Sequence, residues 1–232
     1  MHVGNMDQAL KLIVLVLISV TRLLSAQPTT SSLKGHVLNA LPHLEGWCSK
    51  EKAINFIDLV LEVNPEVCVE VGVFGGSSLF PVASALKFLG SGVVIGIDPW
   101  DRIECLKNID PIRNPQNFEW WAKVNLNYVY YLYTSMLQQH KLEPYCITLR
   151  TTSEKAIREI QTIDIVYIDG NHSQPSSLQD VTLYLPKVKA GGYIWLNDTL
   201  GKERQSAIEH LLTKCDVIKL IDNGNCILFK KR

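Results

Sequence analysis

Two short segments hold the residue types best suited to chemistry. In Tyr167-Ile168-Asp169-Gly170-Asn171-His172 a carboxylate closes an apolar run, and an imidazole follows three residues later. In Trp195-Leu196-Asn197-Asp198 an amide and a carboxylate close another. An imidazole titrates near pH ~6.5, so His172 can take a proton from a hydroxyl at neutral pH. Asp169, Asn197 and Asp198, brought together at adjacent strand ends, offer three oxygen-bearing side chains, a first shell suited to Mg²⁺. The plainer alternative has Asp198 capping the next helix and Asp169 contacting a cofactor. His36, His43, His140 and His210 have no comparable surroundings in the sequence.

A second constellation lies upstream. Glu70-Val71-Gly72-Val73-Phe74-Gly75-Gly76-Ser77-Ser78 leaves an apolar run through a turn whose glycines let backbone approach a ligand. It is not GxGxxG, since Phe74 takes the place of the middle glycine, and no GK[ST] follows. Asp98 closes the next apolar run, where a carboxylate can accept bonds from both ribose hydroxyls. Together these features point to an adenosine-containing cofactor with no pyrophosphate to cradle.

The elements that must carry these groups follow from periodicity. Helical spacing over Lys50–Val63 starts after Ser49, a suitable N-cap, and stops before Pro65. Further helices are expected from Ser77 or Ser78 to Leu89 and over 153–160, 177–185 and 202–213. Strands are expected at 67–71, 93–97, 146–149, 163–168, 193–196, 217–221 and 225–230, with Ala190-Gly191-Gly192 as a turn before the fifth. Continuous apolar strands separated by helices predict an α/β fold, a doubly wound, mostly parallel sheet with helices on both faces. The last two strands, joined by Asp222-Asn223-Gly224, predict an antiparallel hairpin. Residues 100–145 interrupt this rhythm and are rich in aromatics; they suit either helices covering the sheet or a substrate lid.

The motifs EVGVFGGSSL, GIDPW, TTSEKA, YIDGNH and GGYIWLND, in this order, resemble those of class I S-adenosylmethionine-dependent methyltransferases. They are most similar to the O-methyltransferase branch that includes the catechol and caffeoyl-CoA types and relatives acting on sugars and antibiotics. The resemblance spans about residues 50–230 and implies a Rossmann-like sheet of seven strands with the last antiparallel. It also implies that Glu70, Gly72 and Gly76 line the methionine part of S-adenosylmethionine and that Ser78 holds its carboxylate. Asp98 would bind the ribose, Trp100 would cover the adenine, and Ser153 with Glu154 would contact the adenine. Asp169 would serve catalysis and lie at the cofactor's edge. His172 falls where catechol-type enzymes carry a catalytic lysine, which makes it the expected general base. The metal-dependent enzymes carry Asp-Asn where this chain has Asn197-Asp198, so Mg²⁺ is expected on a reversed pair.

Composition narrows the partners. Lys and Arg number 23 against 23 Asp and Glu, which removes the basic footprint of a nucleic-acid binder and fits a small-molecule or sugar acceptor. A second copy of the chain is a further candidate partner. Residues 1–32 form a separate segment: an apolar run over Leu12–Leu24, too short to span a bilayer, then a linker at 27–32. The run suits a signal peptide, a weak membrane anchor or a helix packed on the domain formed by residues 33–232. The first gives an exported protein, the others a cytoplasmic or membrane-associated one. Six cysteines show no CxxC pair or zinc spacing and suit reduced core positions. Two rival functions remain: an exported or tethered non-catalytic binding protein on this scaffold, and a nicotinamide-dependent oxidoreductase, disfavoured by the missing GxGxxG.

Overall fold

The computed structural model describes residues 29–232; the apolar run at Leu12–Leu24 lies outside them. Sixteen regular elements follow. Helix α1 (Thr30–Ala40) and α2 (Lys50–Val63) precede β1 (Val67–Val71), α3 (Leu79–Leu89) and β2 (Val93–Ile97). Three helices then fill the aromatic-rich stretch: α4 (Arg102–Leu106), α5 (Pro115–Lys123) and α6 (Leu126–Gln139). The chain continues through β3 (Cys146–Leu149), α7 (Ser153–Ala156), β4 (Ile163–Ile168), α8 (Gln174–Tyr184) and β5 (Val188–Asn197). It ends with α9 (Gln205–Leu212), β6 (Cys215–Ile221) and β7 (Cys226–Lys231).

One seven-stranded sheet has the order β3-β2-β1-β4-β5-β7-β6. All neighbours are parallel except β7, which runs antiparallel to both β5 and β6. The expected doubly wound sheet with its antiparallel last strand is therefore present. Alternation within each strand sends side chains to two separate cores. Cys68 and Trp195 face a core shared with Phe56, Leu79 and Tyr133 from α2, α3 and α6. Val69, Val71 and Leu196 face the other, with Ala156, Val181 and Leu211 from α7, α8 and α9. Glu70 shares the face of Cys68, a carboxylate among apolar neighbours.

The boundaries differ from expectation in several places. Strand β5 begins at Val188 and runs through Ala190-Gly191-Gly192, since Val188 pairs with Ile163 ahead of a register shift. The helices expected over 153–160 and 202–213 each divide into an α-helix and a 3-10 turn. Helix α8 starts earlier than expected, at Gln174, with Pro175 in its first turn, where a missing N–H costs nothing. The described part of the expected linker is helix: Thr29 and Ser32 exchange a capping box at the start of α1, which extends the domain to residue 29.

Within 100–145 the expected helices are present, and they divide by burial. Helix α6 buries Leu126, Val129, Tyr133 and Met136 and is core, whereas α4 and α5 bury no residue and border a cavity. All six cysteines are free thiols, three of them buried. Among the described residues no helix is long and apolar enough to cross a membrane.

Candidate functional site

A cavity of about 1190 Å³ opens at the carboxyl ends of β1, β2, β4 and β5. This exceeds the usual ~300–1,000 Å³ of a single small-ligand pocket and leaves room for two molecules. Its floor is where the strand ends lock together. Gly72 donates to Ile97 O at 2.9 Å, and Asp169 N donates to Val71 O at 2.8 Å. Gly72 has φ +86, and a Cβ there would lie 2.3 Å from the carbonyl oxygen of Asp169, so only glycine allows the two strand ends to meet.

Asp98 organises the glycine-rich turn. One carboxylate oxygen accepts the backbone N–H groups of Val73 (3.0 Å) and Phe74 (2.9 Å), and the other accepts that of Trp100 (2.7 Å). Burial pushes its carboxyl above the ordinary value, against these three bonds and the more distant Arg150. The first oxygen is filled by its two bonds, but the second keeps a lone pair and the side chain lines the cavity, so an acceptor for a hydroxyl remains.

Three of the expected cofactor residues do not reach the cavity. Trp100 is 3% exposed, stacks on Tyr133 and donates its indole N–H to Phe74 O at 2.9 Å. Its φ is 42, and the ring lies in the core among Tyr130 and Tyr133. Gly76 packs against Tyr133 and Met136, where a Cβ would meet both at 2.7 Å. Glu70 lies behind Ser78, accepting its hydroxyl proton at 2.5 Å, while its second oxygen has no partner among the described residues. Burial pushes the Glu70 carboxyl well above its usual range, the Ser78 bond opposing. Gly72, Ser78, Asp98, Ser153 and Glu154 do border the cavity.

At the Ser153 end, the hydroxyl donates to Asp180 at 2.5 Å. The Asp180 carboxyl is pushed up to about 6 by burial, with the Ser153 bond and Arg204 pulling it down.

At the other end Asp169, His172 and Asp198 converge, each with one ligand-type atom inside a common 4.8 Å. His172 Nε2 lies 3.2 Å from Asp198 Oδ2 and 3.6 Å from Asp169 Oδ1. Asp169 also accepts the Tyr167 hydroxyl at 3.0 Å and the Asn197 amide N–H at 2.9 Å. Burial favours its neutral form, yet His172, Arg204 and Lys52 together hold its carboxyl below the ordinary value. Asp198 sits at φ +55, a left-handed conformation that Asp tolerates, and accepts Asn225 at 3.1 Å instead of capping a helix.

The expected Mg²⁺ set of Asp169, Asn197 and Asp198 does not assemble. Asn197 Oδ1 faces the Lys52 ammonium at 3.2 Å and its Nδ2 faces Asp169, so it presents a donor to the cluster. The imidazole of His172 stands in its place, and two carboxylates with one imidazole make a softer set than the oxygen shell Mg²⁺ prefers. The three-oxygen set expected for Mg²⁺ is therefore incomplete.

Several residues of the site escape the motif reading. Lys52 is 4% exposed and also donates to Trp47 O at 3.0 Å. Its signal was present in the sequence, since it lies one helical turn before Phe56 on the buried face of α2. Arg204 is 1% exposed behind Asp169, at 3.9 Å, with two guanidinium nitrogens unpartnered among the described residues. Near the mouth, Trp47 stacks on Phe74 with centroids 5.0 Å apart, and Trp120 closes on both at 5.3 and 5.8 Å.

No curated protein matches the sequence significantly. Solved structures do match. The O-methyltransferase NovP superposes with a TM-score of 0.64 over 79% of this chain and 80% of its own, at 16% identity. An O-methyltransferase from Bacillus cereus, in complex with SAH, gives 0.58 over 92% and 96%, at 13% identity. The O-methyltransferase TomG from Streptomyces achromogenes, in complex with SAM, gives 0.58 over 91% and 95%, at 14% identity. At these identities the likeness is one of fold. The family described as "Methyltransferase domain" matches residues 69–199, which include every strand end that floors the cavity. By fold and by this match, the chain belongs to the methyltransferase-domain family.

Proposed function

We propose that the protein transfers a methyl group from S-adenosylmethionine to a hydroxyl oxygen of a small ring-bearing acceptor, a sugar or an aromatic. The observation that carries this reading is the imidazole of His172, fixed between two carboxylates on the wall of a cavity large enough for two molecules. S-adenosylmethionine, when bound, supplies an electrophilic methyl group on a sulfonium centre. Asp98 suits a ribose hydroxyl and Ser153 with Glu154 the adenine end, whereas the Ser78 hydroxyl is already given to Glu70.

A hydroxyl is a weak nucleophile until its proton leaves. Two carboxylates facing Nε2 favour the tautomer with the proton on that nitrogen, which leaves Nδ1 as the base. Asp198 and Asp169 then hold the ring in place and stabilise the imidazolium that forms, the role an orienting carboxylate plays behind any catalytic histidine. Proton removal is assigned to His172 because the oxygen ligands for Mg²⁺ do not converge. The aromatic group of Trp47, Phe74 and Trp120 supports an acceptor with a ring to stack.

Calorimetric titration of the intact protein with S-adenosylmethionine tests the reading, followed by transfer of labelled methyl to a panel of sugars and phenols. Saturable binding and a labelled product are expected; no binding of the sulfonium cofactor overturns it. Asp98→Ala should weaken cofactor affinity about tenfold or more, by removing both the ribose acceptor and the clasp on the turn.

A further inference from the structure

Lys52 and Asn197 are both buried, at 4% and 5% exposure, and they meet across 145 residues of sequence. The contact has a directional consequence. An amide offers oxygen at one end and N–H at the other, and an ammonium can only donate. With Lys52 in place, Asn197 Oδ1 must face it and Nδ2 must face Asp169. Turned over, the amide would set N–H against ammonium and oxygen against carboxylate, losing both bonds at once. The backbone offers no relief, because Asn197 ends β5 in register with Cys226.

We infer that Lys52 is a latch that excludes Mg²⁺ from this site: it keeps the amide oxygen of Asn197 away from Asp169 and Asp198 and so denies the cation its third oxygen ligand. The ammonium also lies only one amide away from Asp169. Freed from Lys52, the amide can turn and complete an oxygen set with the two carboxylates. The latch is a statement about cation binding. Only its meaning for catalysis, that His172 removes the proton unaided by Mg²⁺, rests on the methyl-transfer reading.

The test titrates MgCl₂ into the intact protein, calorimetrically, for wild type, Lys52→Met and Lys52→Arg, with S-adenosylmethionine titrated into each as a separate arm. Wild type and Lys52→Arg, which keeps a donor to Asn197, should show no saturable Mg²⁺ binding in the millimolar range. Lys52→Met should gain affinity by roughly tenfold or more, the size of effect usual for residues that orient metal ligands. Equal Mg²⁺ affinity in wild type and Lys52→Met overturns the latch. If Lys52→Met does not fold, Asn197→Asp decides: a carboxylate has oxygen at both ends, so Mg²⁺ affinity should rise, and an unchanged value overturns the inference. Failure of wild type to bind S-adenosylmethionine strikes the methyl-transfer reading alone and leaves the Mg²⁺ comparison standing.

Discussion

Among single residues, His172 and Asp180 carry separable roles. His172→Ala should leave S-adenosylmethionine affinity unchanged and lower kcat by about 10²–10⁴, the usual contribution of a general base. Equilibrium titration beside steady-state rates checks this, and a variant that lost affinity and turnover together would contradict the assignment. Asp180 matters for stability. Burial raises its carboxyl from 3.8 to about 6 in the folded protein, so between those values the folded state binds more protons than the unfolded chain. Stability therefore falls as pH rises through this window, and the cost is complete above pH ~6, at most about 3 kcal/mol. Asp180→Asn carries no such cost. Urea unfolding should find the variant gaining on wild type at neutral pH and matching it near pH ~3.5.

At the scale of elements, helix α1 is a direct case of local chemistry setting a boundary. Thr29 accepts the Ser32 N–H at 3.1 Å, and Ser32 accepts that of Thr29 at 2.9 Å. Thr29→Ala should lower thermal stability by about 1 kcal/mol, measured as a drop in Tm with enzyme-type ligands absent. The capping pattern was present in the sequence, but its Ser/Thr-rich composition also suits a linker, and composition alone favours the linker. The strands were more legible because each is a short, mostly apolar run bounded by polar residues or glycine: β1, β2, β3 and β4 fall where the pattern puts them. Strand β5 was not, since its early part is held by a partner, Ile163, and not by its own residues. The same limit applies to the site. Motif order marks Asp98, Asp169 and His172, but which way Asn197 turns depends on Lys52, far away on α2. Trp100 looked like a cofactor residue by position. The place of its ring in the core, among Tyr130 and Tyr133, is visible only in three dimensions.

For the whole molecule, the sheet divides the labour between its two faces, each with a core of its own, and gives the carboxyl ends of β1, β2, β4 and β5 to chemistry. Yet the cavity is not completed by the sheet alone. Ser49, at the start of α2, donates to Asp222 across 173 residues, beside the contact of Lys52 with Asn197. The first large helix of the domain and the final hairpin thus close on one another over the site. Contacts of such separation form late, after the local elements are in place. In refolding from urea, helical circular dichroism should recover before cofactor binding, and binding should return only with the last phase. Simultaneous recovery of the two signals would speak against this. On the ribosome the consequence is one of timing: a nascent chain can build most of its sheet during synthesis, but Lys52 waits beside an unfinished site until Asn197 and the final hairpin have emerged.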